Sequence, residues 1–229
     1  MGIELKEFML DFKENYKNDV NYVENNFLNL KQMYLSLLNK IERDGKEKVI
    51  KFIEKSDFFD APASTKYHSS IKHGLLLHSL FVYQCYLEKK TNPIWEKTLH
   101  NFTEENILIV TLLHDLCKTY FYETEWKNVK EYSDEGSRKD EKGRYDWVTT
   151  PYFACQDMYP LGHGEKSVIF LQQFMHLTMS EIMCIRCHMG AFEKTDNWMT
   201  LTNAIKLHPE IIALHEADME ASYLMEVYA

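Results

Sequence analysis

The sequence predicts an all-α fold, a helical bundle that carries one small β-hairpin. Two observations predict it. Gly (8) and Pro (5) are scarce in 229 residues, about half of ordinary usage, whereas sandwiches, barrels and propellers need many turns. Most of the chain places apolar residues at helical spacing, and only 121–160 alternates aromatic, Thr and Val positions as strands do. A chain this long buries roughly 70–75% of its unfolded surface, so core size is not limiting.

The elements follow in order. Residues 3–42 read as one or two amphipathic helices that end near Asp44-Gly45. A short helix over 46–55 carries Val49, Ile50, Phe52 and Ile53. The segment DFFDAPASTKYHSS is a loop, with Pro62 as breaker and Ser69 or Ser70 as the cap of a helix running from about 70 to 89. Thr103 with Asn106 starts another that runs to about 118. In 121–160, FYETEWKNVKEY and GRYDWVTTPYF flank the polar tip SDEGSRKDEKG, a hairpin pattern. Helices resume at about 163–175, 178–188, 196–206 and 209–226. Residues 1–60 read as accessory helices, and 61–229 as one helical domain with the hairpin inserted at about 121–160.

Charge and composition exclude several classes. Lys+Arg is 26 and Asp+Glu 35, a net charge of −9, which disfavours a protein whose main work is gripping a phosphate backbone. No apolar run nears the ~18–20 residues that span a bilayer, so no membrane association is expected. The charged start MGIELKEFMLDFKENYK is not a secretory signal, and Lys6 stands where a myristoylation motif wants Ser or Thr. Five cysteines without an export signal read as reduced cytoplasmic thiols.

Ten histidines are many for such a chain, and several stand where apolar residues should. Ile71, Leu75, His78 and Val82 share a helix face. His114 follows Ile107 and Val110, Asp115 follows Leu108, Thr111 and Leu112, and Asp218 continues Ile211 and Leu214. A buried carboxylate needs a cation or strong donors beside it. Imidazoles and carboxylates from separate helices are how bundle interiors build metal sites. An ordinary hydrogen-bonded core histidine is the alternative at each single position.

The local strings go further. HGLLLHSL (73–80), LLHDLCK (112–118) and LHEADMEAS (214–222) resemble the HD superfamily of metal-dependent phosphohydrolases, whose signature is H…HD…D. PLGHGEKS (160–167) and IRCHMG (185–190) resemble its two-metal subset. The resemblance spans roughly 46 to 226 and is nearest to a group of uncharacterised bacterial and phage HD proteins. It implies an HD-domain bundle with His78, His114, Asp115 and Asp218 as ligands of one metal. His163 and His188 would serve a second, with Asp115 as the bridge. Part of the layout is shared with HD-type 3′-to-5′ exoribonucleases, in which a histidine stands at the place of His68. His73 departs from the pattern, which usually has Gly there.

The implied chemistry is hydrolysis of a phosphate ester, with a metal-activated hydroxide attacking phosphorus. Lys118, in the HDxxK form, would stabilise charge on the phosphoryl oxygens. His68 would hold the phosphate or protonate the leaving group, and Arg186 would add a phosphate contact or else form a surface ion pair. Mixed imidazole and carboxylate ligands suit two divalent ions of Fe, Mn or Zn. The expected partner is a small nucleotide-type phosphate ester, with an RNA 3′ end and a homodimer as further readings. His215, three residues before Asp218, would support the ligands or make an ordinary core bond, while His100, His176 and His208 are expected at the surface.

Three rival readings remain open. Cys184-Ile-Arg-Cys187-His188 spells the c-type haem motif, which normally requires export. HD-fold di-iron oxygenases use the same six ligands, and an inactive nucleotide-binding module would keep the fold alone. Trp126, Tyr132, Tyr145 and Trp147 are expected to pack the hairpin on the helices. Left exposed, they would form a lid, a self-association surface or a base-stacking face.

Overall fold

The structure, a computed structural model, describes residues 4–228. The N-terminal region forms two helices, α1 (Leu5–Asn18) and α2 (Tyr22–Leu38), parted where the Asp19 side chain accepts from the Asn21 N–H. Leu5, Phe8, Met9 and Phe12 form the buried face of α1 at helical spacing. α3 (Lys46–Lys55) starts after Gly45, whose φ of 95° is left-handed and whose added Cβ would lie 2.0 Å from the Phe174 carbonyl oxygen. Both constraints demand glycine.

α4 (Gly74–Lys90) begins later than the loop serines suggest. Ser69 does not cap it. Its N–H donates to the Val227 carbonyl and its carbonyl accepts from Ala63 N–H, so its backbone is spent on loop pairing. The cap position falls to His73 at φ 66°, a conformation that favours glycine. Its ring is stacked on Phe27 at 4.0 Å, with Nε2 3.0 Å from Glu24 and Nδ1 bonded to the Phe59 carbonyl. These contacts explain how a histidine is tolerated where the resembled pattern has Gly.

α5 (Pro93–Leu99) lies outside the sequence expectation, although Asn92-Pro93 is a cap followed by a proline at the first helical position. α6 (Glu104–Leu113) starts on the expected Thr103/Asn106 box and ends five residues sooner than expected. Asp115, at φ −103° and ψ 20°, lies near the sparsely populated bridge region, and Leu116–Lys118 form a 3₁₀ turn.

The hairpin region is a three-stranded antiparallel sheet in the order β1 (Tyr122–Tyr132), β3 (Gly143–Cys155), β2 (Arg138–Asp140). The polar tip folds back as β2 rather than remaining a loop. Its aromatic residues do not pack on the helices, contrary to expectation: Trp126 is 66% and Trp147 48% exposed. The root of the sheet does meet the body, where the Tyr122 hydroxyl donates to the Ala63 carbonyl, but Trp126 and Trp147 stand further out with their rings in solvent, so the alternation marks the two sides of a projecting arm.

Four more helices complete the body: α7 (His163–Gln172), α8 (Met179–Cys187), α9 (Trp198–Leu207) and α10 (Glu210–Met219). α10 passes into a π-turn over Glu220–Met225. α4 and α6 pack on each other at the centre, with α10 against α4 and α8 against α6 and α10. One apolar core joins Phe12, Tyr34 and Ile53 with Leu76, Phe81 and Ile109, so residues on both sides of position 60 share it. The Tyr34 hydroxyl donates to the Leu112 carbonyl across that core at 2.8 Å. Among the described residues no helix is long and apolar enough to cross a membrane.

Candidate metal centre

Six side chains named from the sequence meet where α4, α6, α7, α8 and α10 converge. His78 lies within α4, and His114 and Asp115 lie at the end of α6. His163 opens α7, His188 closes α8, and Asp218 stands near the end of α10. His78 Nε2 is 3.3 Å from His114 Nε2, 3.4 Å from Asp115 Oδ2 and 3.4 Å from Asp218 Oδ1. His114 Nε2 is 3.4 Å from Asp115 Oδ2. On the other side of the same carboxylate, Asp115 Oδ1 lies 2.6 Å from His163 Nε2 and 3.6 Å from His188 Nε2. Asp115 thus offers one oxygen to each of two donor groups.

The opposite ring nitrogens are tied down. Nδ1 of His78 meets Glu226 Oε1 at 2.7 Å. Nδ1 of His114 bonds the Thr111 carbonyl, and that of His188 the Ile185 carbonyl, three residues back in each case. Nδ1 of His163 faces Cys117 Sγ at 3.2 Å. Such tethers fix ring orientation and leave each Nε2 lone pair aimed inward, which is how ligating histidines are held.

The donor set fits divalent cations. An ion about 2.1 Å from each N or O donor sets neighbouring donors about 3.0–3.4 Å apart, and the separations around His78, His114, Asp115 and Asp218 fall in that range. Four groups of three side chains bring ligand atoms within 4.8 Å of one another here: His78/His114/Asp115, His114/His188/Asp218, Asp115/His163/His188 and His68/His78/Glu226.

The electrostatics match. Burial disfavours the Asp115 carboxylate, yet Lys118 Nζ at 2.6 Å, with His114 and His163, holds its pKa well below the usual range. Burial lowers His78, but Glu226, Asp115 and Asp218 outweigh it and carry it to about 10. His163 likewise rises to about 10, because Cys117 and Asp115 outweigh burial. Burial and the neighbouring His114 press His188 down to about 3.

The centre forms one wall of a cavity of about 550 Å³. Lys118, His68, Tyr122, His215 and Ser222 also line it. His68 Nδ1 is 2.7 Å from the Ser222 hydroxyl, and burial lowers its pKa to about 4. Arg186 lies apart from the cavity, its guanidinium bonded to Glu165 at 3.0 Å. His215 supports the site, its Nδ1 lying 2.7 Å from the His188 carbonyl oxygen. His100 and His176 are exposed and His208 is half-buried beside Ser180 and Glu210. Cys184 and Cys187 are buried, so neither thiol is open to thioether attachment.

Three supporting residues lie outside the sequence expectation: Glu226, Cys117 and Ser222. Ser222 and Glu226 carried a readable signal, because they follow Asp218 at i+4 and i+8. Cys117 carried none beyond adjacency to the HD string. Comparison with family models, curated proteins and solved structures returned no match, so the site stands on its own residues and geometry.

Proposed function

We propose that this chain is an HD-type metal-dependent phosphohydrolase that hydrolyses a nucleotide-type phosphate ester, with two divalent cations (Fe, Mn or Zn) held by His78, His114, Asp115, His163, His188 and Asp218. One observation carries the reading: four imidazole nitrogens from four helices converge on the two oxygens of Asp115, with Asp218 from a fifth helix closing the ring against His78, beside a cavity. Such ions supply Lewis acidity toward phosphoryl oxygens and lower the pKa of water toward neutrality.

The chain's own residues do the rest. Lys118 keeps Asp115 ionised and brings a buried positive charge to the cavity wall, where a phosphate ester would place its oxygens. His68 is neutral at pH 7 because burial lowers it, so it suits a hydrogen bond to the phosphate better than delivery of a proton. Glu226 and the backbone tethers hold the imidazoles in place. Hydroxyl and aromatic groups from Ser64, Tyr67, Tyr122 and Tyr228 line the volume a nucleoside would fill.

The test is metal analysis joined to turnover of bis(p-nitrophenyl) phosphate with added Mn²⁺ under anaerobic conditions. About two ions per chain, with turnover abolished by Asp115→Ala, is the expected result. Fewer than one ion per chain, or equal turnover in Asp115→Ala, overturns the reading. Substrate loss that requires oxygen would replace it with an oxygenase.

A further inference from the structure

The β arm has two unlike faces. Directly opposed residues of an antiparallel pair share a face, and alternate residues along a strand do too. The register Tyr122↔Cys155, Trp126↔Pro151, Lys130↔Trp147 and Tyr132↔Tyr145 therefore defines one face. Phe153 lies on it opposite Thr124, and Arg138 joins it opposite Tyr145. Six of the seven strand aromatics fall there, and only Tyr152 lies on the other side. The acids segregate oppositely: Glu123, Glu125, Glu131 and Asp146 are on the far face.

One cation, Lys130, sits among the rings of this face, and Arg138 lies at its edge on β2. Tyr132 and Tyr145 centroids are 5.7 Å apart, and Tyr145 and Trp147 5.9 Å. Lys130 Nζ lies 4.3 Å from the Tyr145 centroid and 5.8 Å from that of Trp147. The face's single carboxylate, Asp140, is already held by Lys130 and the Tyr132 hydroxyl. No Leu, Ile, Val or Met lies on it. A protein partner would be expected to meet aliphatic as well as aromatic groups. Clustered rings with a cation among them and no Leu, Ile, Val or Met suit the stacking of bases.

The face also leads somewhere. Its root pair, Tyr122 and Cys155, lines the cavity at the metal centre, and an 11-residue strand reaches about 36 Å from it. We infer that the aromatic face of the β arm is a stacking platform for a single-stranded polynucleotide whose end enters the cavity. This rests on the phosphohydrolase reading and narrows its substrate to an oligonucleotide. It also qualifies the net charge of −9, because four of the five acids on the arm's strands lie on the opposite face and the fifth, Asp140, is paired with Lys130.

The test uses the full chain and a fluorescein-labelled oligo-dT of about 12 nucleotides, an oligo-rU of the same length and the matching duplex, read by anisotropy. Single strands should bind at least about tenfold more tightly than duplex, since stacking needs unpaired bases. Trp126→Ala and Trp147→Ala should each weaken binding about 5- to 100-fold and lose the tryptophan quenching that stacking produces. Tyr152→Ala, on the far face, should leave binding unchanged, and all three should turn over bis(p-nitrophenyl) phosphate like the parent. Equal binding by all variants, a preference for duplex, or a Trp147-dependent dimer without oligonucleotide binding overturns the platform. Turnover of the small ester with no oligonucleotide binding sinks the platform alone. Face-specific binding by a protein that turns over no ester sinks the hydrolase reading alone.

Discussion

Glu226→Ala tests how the centre is held together. Glu226 is fully buried, and its Oε1 bonds His78 Nδ1 at 2.7 Å. Glu226 is the strongest of the influences that raise His78 against the burial that lowers it. Removing one member of a buried, hydrogen-bonded pair costs about 3–5 kcal/mol, since the His78 Nδ1–H loses its only acceptor in a dry interior. For a chain of this size each kcal/mol moves Tm by about 2–4 °C, so the metal-free variant should melt about 6–20 °C lower. Loss of a carboxylate behind a ligating imidazole also weakens metal binding about 10- to 100-fold. Differential scanning calorimetry of stripped protein and competition against a chelator give the two numbers. Glu226→Gln keeps shape and an acceptor, so it should fall between parent and alanine in both. A stripped variant melting within about 3 °C of the parent, with metal affinity unchanged, would refute the reasoning.

Three further outcomes are expected. Arg43→Ala should cost about 1–3 kcal/mol in urea unfolding, because Arg43 spans the fully buried Glu181 at 2.5 Å and Glu105 at 2.8 Å while Glu181 keeps its bonds from Asn106 and the Thr178 N–H. Ester turnover per folded molecule should not change. Gly190→Ala places a Cβ 2.6 Å from the His215 ring at a φ of 54°. Displacing that ring from the His188 carbonyl should lower kcat about tenfold or more at nearly constant KM, as read by steady-state kinetics. The stripped protein should be most stable near pH 6.5 in a pH series of melting curves. His78 and His163, raised to about 10, give stability that is complete below 6.5 and lost as pH climbs toward 10. His188 and His68, lowered to about 3 and about 4, add a penalty that grows as pH falls below 6.5.

The helices around the centre were legible because capping signals and local strings survive without tertiary context. Thr103/Asn106 set the start of α6, and Thr178/Glu181 makes the same box at α8. The six inward side chains were legible from strings that resemble a family, not from periodicity. α6 is buried on every side from Ile107 to Leu113, so the stripe that places His114 beside Val110 is not a distinct face. Ser69 could not be read correctly, because its partners Val227 and Ala63 lie on separate segments. The arm misled for a different reason. Alternation tells which residues share a side, but not whether anything covers that side.

The arm differs from the body in how it is stabilised. Its strands are mostly exposed on both faces, so ladder hydrogen bonds and clustered rings carry it with little apolar burial. Opening it costs less than opening the core, and its amides should exchange with solvent well before those of α4 and α6. A protease would nick the Ser133–Ser137 turn while the helical body stays folded. The outer edges of β1 and β2 are unpaired, and Lys127, Glu131 and Lys139 set charges along them that discourage edge-to-edge pairing with other sheets. Occupancy of the aromatic face would then be visible as slowed exchange confined to these strands, without any change in the core.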